Sequence, residues 1–380
     1  MNIVIFGGSF DPVHAEHIAI AQAAKRQLAA DKIVVVPAFV PPHKREKNMA
    51  PAEDRLAMAK LAFAGVEGAE VSAYEISAGG TSYTVRTLRH FRERFPQDEL
   101  FFLVGADMLR DFYTWKQPEE ILSLAQLVAC GREGDPADFR AEGKRFFARF
   151  GRRFQVLSYT GKQVSSTDIR VQIAFGQEPA ELPAAVFDYI EGRQLYCVGK
   201  VREALRGLKP ARREHSLRVG LMAAASASRC GVSETDAILA AGMHDCAKYL
   251  DLSSPELQGF TPPAGVPAPV MHQYTGAYYA EHAFGVSDAA VLDAIRYHTS
   301  GKPEMSALGK LIFLADMLES GRDFPGIHKL RRAFYKEDSL DECMYQSLRA
   351  ELRHLKQGGG DIYPLTEQAY RYYKDITKSK

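Results

Sequence analysis

Short apolar runs alternate with longer amphipathic stretches along the first half of the chain. Runs rich in β-branched and aromatic residues are candidate strands, at residues 3–6, 33–36, 100–104, 127–129 and 154–157. Apolar residues at helical spacing fill intervening stretches, at residues 18–28, 53–63, 84–95 and 167–175. This alternation predicts an α/β domain in which helices cover both faces of a doubly wound, mostly parallel, Rossmann-like sheet.

The strand signal disappears in the second half, where only helical periodicity continues. Candidate helices lie at residues 216–229, 234–249, 270–284, 289–297 and 307–318. The pattern changes from alternating strands and helices to helices alone near residues 192–205, so we place a domain boundary there. We therefore expect an α/β domain over residues 1–196 and an all-α helical bundle over residues 197–380.

Composition and charge narrow the classes of function. A chain of 380 residues with 46% hydrophobic and 25% charged residues has the size and composition of an ordinary two-domain folded protein. Its 48 basic and 47 acidic residues give a net charge of +1, so the overall charge does not favour nucleic acid or an anionic membrane. No apolar run approaches the roughly 18 residues of a membrane helix, and no basic signal-peptide start is present. We expect a cytoplasmic protein without a nucleic-acid or membrane partner.

The cysteines do not indicate a structural cross-link. The chain has five of them, at Cys130, Cys197, Cys230, Cys246 and Cys343, and none forms a CxxC pair. An odd number of scattered cysteines is typical of free thiols, so we predict neither a disulfide framework nor a thiolate zinc site.

The first candidate strand leads into a loop suited to binding phosphate. Gly7-Gly8-Ser9-Phe10 follows the strand, and the pattern becomes helical a few residues later. Adjacent glycines let backbone N–H groups approach an anion, and a helix N-terminus adds partial positive charge. Neither GxxxxGK[ST] nor GxGxxG occurs here, which argues against a Walker loop and a standard dinucleotide fingerprint.

Two histidines mark the start of the helix that follows this loop. His14 and His17 are three residues apart, so they share a helix face and both imidazoles can point at one phosphate. The alternative is that both rings are bound to backbone groups at the helix start.

Further polar residues follow other strands of the predicted sheet. Lys44 comes after the second strand, and Ser166, Thr167 and Arg170 open the helix after the last one. Ligands of open α/β sheets bind at the carboxyl ends of the strands. The pattern therefore indicates a single anion site at that edge.

Together these segments resemble the nicotinate mononucleotide adenylyltransferase family of nucleotidyltransferases. The motifs are GGSFDPVHAEH, PPHK, SYT at residues 82–84, GAD at residues 105–107, Trp115 and SSTDIR, in the family's order. The resemblance covers residues 1–196. It implies transfer of AMP from ATP to nicotinate mononucleotide, which yields deamido-NAD and pyrophosphate, with Mg²⁺ as cofactor.

The resemblance also implies a role for each matching residue. The residues assigned to catalysis at the phosphates are His14, His17, Lys44 and Arg170, with Ser166 beside them. Those assigned to nucleotide binding are Gly7, Gly8, Ser9, Phe10, Ser166 and Thr167. Trp115 would stack on the nicotinate ring, while Tyr83 and Thr84 would bind its carboxylate. Gly105 and Asp107 would hold hydroxyl groups of the adenylate. The alternatives are core packing for Trp115 and a helix N-cap for Asp107.

One residue departs from the family pattern. Glu16 occupies the position, beside the phosphate-binding histidine, where the family usually has glycine. A carboxylate there either repels ATP or points outward.

Histidines and aspartates recur on the predicted helices of the second half. They are His215, His244, Asp245, His272, His298 and Asp316. Each alone is most simply an ordinary surface or core side chain, but imidazole and carboxylate groups that meet in space would bind a divalent transition metal. Asp316 is the sharpest signal, because apolar residues flank it and a buried carboxylate must be paired or metal-bound.

This order resembles the HD-domain metal-dependent phosphohydrolases. The segments AIRYHT at residues 294–299 and LIFLADMLESGR at residues 311–322 are similar to the bacterial YqeK-type symmetrical diadenosine tetraphosphate hydrolases. The resemblance implies hydrolysis of a dinucleoside polyphosphate to two ADP at a binuclear site, often of iron. It would place His215, His244, Asp245 and Asp316 around one metal and His272 and His298 around the other, with Asp245 as the bridge.

Two cations of this half are further phosphate-binding candidates. Lys248 follows Asp245 by one helical turn, and Arg322 ends the second motif. The alternative is that both are solvated surface side chains. The sequence does not choose among iron, manganese, cobalt and zinc, and it leaves open whether the chain forms a homo-oligomer.

Two other functions are compatible with the helical half. It could be a nucleotide sensor that regulates the transferase without turnover, although the complete set of ligands argues against this. It could also use iron and oxygen to oxidise a substrate, as some HD-domain relatives do. A DNA-binding or scaffold role has no basic stripe to support it.

Overall fold

The computed structural model describes residues 1–42, 49–132, 138–336, 339–358 and 362–378. They form two compact units. The first comprises Met1–Ile169 and Glu178–Leu195, and the second comprises Arg170–Gln177 and Tyr196–Lys380. Lys44, a predicted phosphate ligand, lies outside the described residues.

A six-stranded parallel sheet forms the centre of the first unit. The strands are β1 (Asn2–Gly8), β2 (Lys32–Pro37), β3 (Ala69–Val71), β4 (Glu99–Gly105), β5 (Gln126–Arg132) and β6 (Gln155–Gly161). Their order is β3-β2-β1-β4-β5-β6. Ile3, Val4 and Ile5 of β1 are all fully buried, as expected for a central strand covered on both faces.

Helices surround this sheet, which confirms the predicted α/β class. They are α1 (Ala15–Gln27), α2 (Ala52–Phe63), α3 (Tyr74–Ala78), α4 (Thr84–Arg94), α5 (Ala106–Asp111), α6 (Pro118–Leu124), α7 (Phe139–Phe150), α8 (Ser166–Ala174) and α9 (Ala184–Arg193). The strand order reverses direction between β1 and β4, which pair directly with Phe6 beside Leu103. Ligands of doubly wound sheets bind at such a switch point.

The second unit is all-helical, as predicted. Its helices are α10 (Val201–Arg206), α11 (Pro210–Ala227), α12 (Glu234–Met243), α13 (Ala268–His282), α14 (Ala289–Arg296), α15 (Ala307–Leu318), α16 (Ile327–Lys336), α17 (Leu340–Gln357) and α18 (Pro364–Lys378). Helix α15 lies at the centre, since Leu311, Ile312, Leu314 and Ala315 are fully buried. A helix that is apolar on nearly all sides is typical of a core position.

Side-chain caps define where two helices near the candidate ligands begin. Ser306 Oγ accepts a hydrogen bond from the Gly309 backbone N–H at 3.1 Å at the start of α15. Asp288 Oδ1 accepts bonds from Ala290 and Val291 N–H at 2.8 and 3.1 Å at the start of α14. These caps satisfy backbone donors that the first turn of a helix leaves unpaired.

The structure corrects one predicted helix and adds one strand. The helix expected over residues 234–249 ends at Met243, and a series of turns carries His244, Asp245 and Lys248. Strand β3 has only three half-buried residues, too few to produce a periodic signal.

The chain has no helix, within its described part, that is both long and apolar enough to cross a membrane.

Close packing at Gly242 generates a stability prediction. A Cβ atom on this residue of α12 would lie 2.5 and 2.8 Å from the two methyl groups of Val201 on α10. Valine is stiff at χ1, so the clash is relieved only by moving a helix. We expect Gly242→Ala to destabilise the protein by about 1–2 kcal/mol, because overpacking outweighs the helix propensity gained, up to about 1 kcal/mol. Urea unfolding followed by far-UV circular dichroism measures the change.

A rescue variant and a control sharpen this test. Val201→Ala in the Gly242→Ala background should restore much of the stability, because it removes the clashing methyl groups. Gly143→Ala on α7, where an added Cβ has no neighbour within 4 Å, should not destabilise. A stabilising effect of Gly242→Ala alone would contradict the packing argument.

Candidate phosphate site and candidate metal centre

The loop after β1 brings two histidine rings together at the start of α1. His14 is the N-cap residue and is 3% exposed, and its ring centroid lies 3.7 Å from that of His17. The His14 backbone N–H donates to His17 Nδ1 at 3.2 Å. Since Nδ1 of His17 accepts, the neutral ring carries its proton on Nε2. For His17, the backbone bond proposed as the alternative role is therefore present.

A buried arginine that the sequence analysis missed holds this loop in place. Arg55 on α2 is 1% exposed and donates to the carbonyl oxygens of Ser9, Ala38, Phe39 and Ala50 at 2.5–3.0 Å. It thereby links the segment after β1 to the segment after β2. The amphipathic pattern of α2 masked it, because a lone arginine on a helix normally indicates a solvent-facing residue.

The side chain of Glu16 lies inside the fold. It is 5% exposed, and Glu16 Oε1 accepts a hydrogen bond from Tyr159 Oη at 2.9 Å. A Cβ on Gly161 would lie 2.7 Å from the same oxygen, so the carboxylate packs against β6. Burial and the bond to Glu16 raise the pKa of Tyr159 to about 12. The expectation that Glu16 points outward is thus wrong.

The SSTDIR segment contributes to both units. Ser166 Oγ donates to the Pro12 carbonyl at 3.1 Å, which places the start of α8, with Thr167 next along it, beside the loop after β1. Arg170 belongs to the second unit, where its Nε and Nη2 each donate to Glu234 at 2.7 Å. The predicted phosphate contact of Arg170 stays a prediction.

The residues proposed to bind nicotinate and adenylate lie after β4 and at the start of α4. Trp115 is half-buried and contacts Phe102 and Phe112, with ring centroids 6.1 and 5.3 Å away, so part of it does pack in the core. Tyr83 is the N-cap residue of α4, directly before Thr84. Asp107 is exposed and is not the N-cap of α5, which is Gly105. A Cβ on Gly105 would lie 2.6 Å from Asp107 Oδ1, so a side chain there would displace this carboxylate from its present position.

In the second unit, five separate segments bring the predicted metal ligands together. His215 lies on α11, His272 on α13 and Asp316 on α15, while His244–Asp245 and His298 follow the ends of α12 and α14. The ligand atoms of His215, His244 and Asp245 lie within 4.8 Å of one another. The ligand atoms of Asp245, His272 and His298 also lie within 4.8 Å of one another. Asp245 therefore belongs to both groups.

The two oxygens of Asp245 face different histidines. Oδ2 lies 4.0 and 3.4 Å from Nε2 of His215 and His244. Oδ1 lies 3.4 and 3.6 Å from Nε2 of His272 and His298. Asp316 Oδ1 approaches His215 Nε2 at 2.9 Å and extends the first group.

Each imidazole is oriented through its Nδ1 atom. In His244, His272 and His298 this atom lies 2.7–2.9 Å from the carbonyl oxygen of the residue three positions earlier. A carbonyl only accepts, so Nδ1 carries the proton and the Nε2 lone pair is directed at Asp245. Burial and the neighbouring His298 and Lys248 lower the pKa of His272 to about 3, which keeps that ring neutral. Neutral imidazole is the form that ligates a metal.

The residues present fit a divalent cation. Asp245 is 1% exposed, and its Oδ1 has no hydrogen-bond partner among the described residues. Burial alone would raise the pKa of this carboxyl, but the neighbouring His244 and His298 hold it well below its usual value. An ionised, unsatisfied oxygen surrounded by imidazole lone pairs matches the donor chemistry of a transition-metal site.

Three basic side chains adjoin this cluster. Arg212 Nη1 donates to Asp245 Oδ2 at 2.9 Å, Lys248 Nζ lies 2.8 Å from His272 Nε2, and Arg322 Nη2 donates to Asp316 Oδ1 at 2.8 Å. Their side chains are 26, 27 and 41% exposed, respectively, so they are partly accessible to solvent. The sequence analysis missed Arg212. Its position three residues before His215, on the same face of α11, was the available signal.

The two units match two known domain families. Residues 5–172 match the cytidylyltransferase-like family, and residues 212–321 match the HD domain. Fold and site thus define a chain in which a nucleotidyltransferase-type domain precedes an HD domain.

Full-length relatives share this arrangement. The chain is 31% identical over 330 residues to a protein of Mycoplasma genitalium and 33% identical over 326 residues to one of Mycoplasma pneumoniae. Each match covers 84% of this chain, with 88 and 89% of the relatives, and both are described as "Probable nicotinate-nucleotide adenylyltransferase/Ap4A hydrolase". A "Probable nicotinate-nucleotide adenylyltransferase" of Thermus thermophilus is 41% identical over 199 residues, 52% of this chain and 100% of that protein. The chain belongs to the family of fused nicotinate-nucleotide adenylyltransferase/Ap4A hydrolase proteins.

The buried pair of Glu16 and Tyr159 generates a prediction. Tyr159→Phe leaves the Glu16 carboxylate without its donor, and we expect the free energy of unfolding to fall by about 1–3 kcal/mol. Urea unfolding followed by the fluorescence of Trp115, the single tryptophan of the chain, reports on this unit. Replacing both partners, with Glu16→Met and Tyr159→Phe, should recover stability.

The exposed Tyr335 provides a matched control. Tyr335→Phe should change the unfolding free energy by less than about 0.5 kcal/mol. If Tyr159→Phe also left the free energy of unfolding unchanged, the hydrogen bond from Tyr159 would not be needed to stabilise the buried Glu16 carboxylate.

Proposed function

We propose that the chain is a bifunctional nucleotide enzyme. Its first unit transfers AMP from ATP to nicotinate mononucleotide, and its second unit hydrolyses diadenosine tetraphosphate symmetrically to two ADP. The observation that carries this proposal is the likeness over 84% of the chain to relatives described by both activities, with the motifs of each activity in one chain.

The transferase reaction needs alignment and charge neutralisation more than proton transfer. The attacking phosphate of nicotinate mononucleotide is already an anion, so no general base is required, and two polyanions must be held in line. We assign His14, His17 and the backbone of residues 7–10 to the phosphates of ATP, together with Lys44, Ser166 and Thr167. Imidazole N–H groups would supply hydrogen bonds to the charge that develops there. Mg²⁺, bound with ATP, would add neutralisation of the phosphate charge.

The remaining assignments of the first unit concern the two nucleotides. We assign the partly exposed ring of Trp115 to stacking on nicotinate. The hydroxyls of Tyr83 and Thr84 and the N-terminus of α4 are suited to a carboxylate. Asp107, with Gly105 beside it, is assigned to the adenylate hydroxyls.

The hydrolase reaction is assigned to the cluster around Asp245. We infer that His215, His244 and Asp316 hold one metal, that His272 and His298 hold a second, and that Asp245 binds both; iron is the metal we propose. When bound, such a pair supplies Lewis-acid polarisation of the phosphate and lowers the pKa of a water molecule. Lys248, Arg322 and Arg212 are assigned to the phosphate oxygens, where cationic donors bind and neutralise charge.

Substitutions in the two units should separate the activities. His17→Ala is expected to lower the rate of deamido-NAD formation by at least about 100-fold, the scale for losing one donor to developing charge. It should leave ADP release from diadenosine tetraphosphate unchanged. Asp245→Asn should leave deamido-NAD formation unchanged. It should lower the rate of ADP release by more than about 100-fold, the upper limit for replacing a residue that only supports a metal ligand. Product identification by chromatography measures both.

Controls and contrary outcomes follow from the same assays. His354→Ala, at an exposed position of α17, should leave both activities intact. Formation of AMP plus ATP would refute symmetrical cleavage. Binding of the dinucleotide without hydrolysis in metal-replete protein would favour a sensor, and oxygen consumption would favour an oxygenase.

A further inference from the structure

A buried carboxylate outside the predicted ligand set contacts one of the four clustered histidines. Glu319, directly after α15, is 1% exposed. Its Oε1 lies 3.2 Å from His215 Nδ1, and its Oε2 accepts bonds from Arg218 Nε and the Gly321 backbone N–H, each at 2.5 Å. Both oxygens are therefore engaged, and the negative charge is paired with a guanidinium.

This contact makes His215 different from the other histidines of the cluster. The Nδ1 atoms of His244, His272 and His298 are held by main-chain carbonyls, which no substitution removes. The orientation and proton position of His215 depend instead on a side chain. A carboxylate that accepts from Nδ1–H fixes the tautomer with a free Nε2 lone pair and makes that lone pair more basic.

The main chain around Glu319 is also held by contacts that do not involve its carboxylate. Arg331 on α16 donates to the carbonyl oxygens of Leu318 and Arg322 at 2.7 and 2.8 Å, and also to that of Glu319. A Cβ on Gly321 would lie 2.5–2.6 Å from the Arg218 guanidinium, so glycine is needed for Arg218 to reach Glu319. We therefore expect this turn to keep its conformation when the Glu319 carboxylate is changed.

We propose that Glu319 is a positioning residue that holds His215 in the orientation and tautomer required to bind the metal of the first ligand group. Arg218 balances the charge of Glu319 and leaves the proton on His215. The inference rests on the metal site of the proposed function. It assigns to Glu319 an effect on one ligand group only, because the groups share Asp245 but not His215.

The test is metal titration of the full-length protein. Apo protein is titrated with Co²⁺ alone, and the absorption of bound Co²⁺ is followed against a competing chelator. Wild-type protein should bind two equivalents. In Glu319→Ala one equivalent should bind about 10–100-fold more weakly while the other is unchanged, the range observed for outer-shell partners of ligating histidines. Glu319→Gln retains an acceptor oxygen but not the charge, so it should show a smaller loss.

Two further variants identify the affected equivalent. His215→Ala should weaken the same equivalent as Glu319→Ala, and the double variant should be no weaker than His215→Ala, since Glu319 acts through that ring. Glu367→Gln, in an exposed ion pair with Arg371 on α18, is the matched control and should bind Co²⁺ normally. Far-UV circular dichroism checks that each variant is folded.

The outcomes separate this inference from the metal site itself. If wild-type protein binds no Co²⁺, the proposed metal centre is refuted. If wild-type binds two equivalents and both Glu319 variants match it, the positioning role is overturned. Equal weakening of both equivalents would also overturn it, because Glu319 would then support the whole bundle.

Discussion

The Asp245 carboxylate is the constraint on which the helical unit depends. A carboxylate removed from water costs several kcal/mol unless charges and donors around it compensate. Here the surrounding groups are two cations, Arg212 and Lys248, and four imidazoles, carried by separate segments of the chain. The helices must therefore pack so that these segments converge. Lone pairs on imidazole and carboxylate also suit a divalent cation. The arrangement that the helices adopt around Asp245 is therefore also the arrangement of the candidate metal site.

The candidate anion site of the first unit is built differently. Its candidate site uses main-chain groups, since β1 ends in glycines and α1 begins directly after His14. Arg55 donates to four carbonyl oxygens and so links the loops that follow β1 and β2. In a parallel sheet the carboxyl ends of all strands lie at one edge, which is why residues from distant motifs meet there. The candidate phosphate site thus relies on main-chain groups, whereas the candidate metal site relies on clustered imidazole and carboxylate side chains.

Much of the fold followed from periodicity. The central strands are long, apolar and buried on both faces, and the helices of the second unit repeat apolar residues at helical spacing, so both classes were predictable. Periodicity did not locate the end of α12, because apolar residues continue past Met243 into the turns that carry His244 and Asp245. Strand β3 was missed because three half-buried residues show no alternation. The candidate ligands were predicted from residue type and order. These indicate which side chains can bind a metal, but they do not show which side chains lie close together.

The amino-acid sequence by itself determined the two fold classes, the order of the motifs and the identity of the candidate ligands. Only the tertiary structure decided which side chains support them. Arg55 and Arg212 lie outside the quoted motifs, Glu319 lies within one that does not reveal its partner, and Glu16 departs from a family pattern without revealing where its carboxylate lies. Their partners are distant along the chain, 143 residues away for Glu16 and Tyr159 and 104 for His215 and Glu319. A hydrogen bond acts over about 3 Å, so such pairs are fixed by how whole elements pack and leave no periodic trace in the sequence.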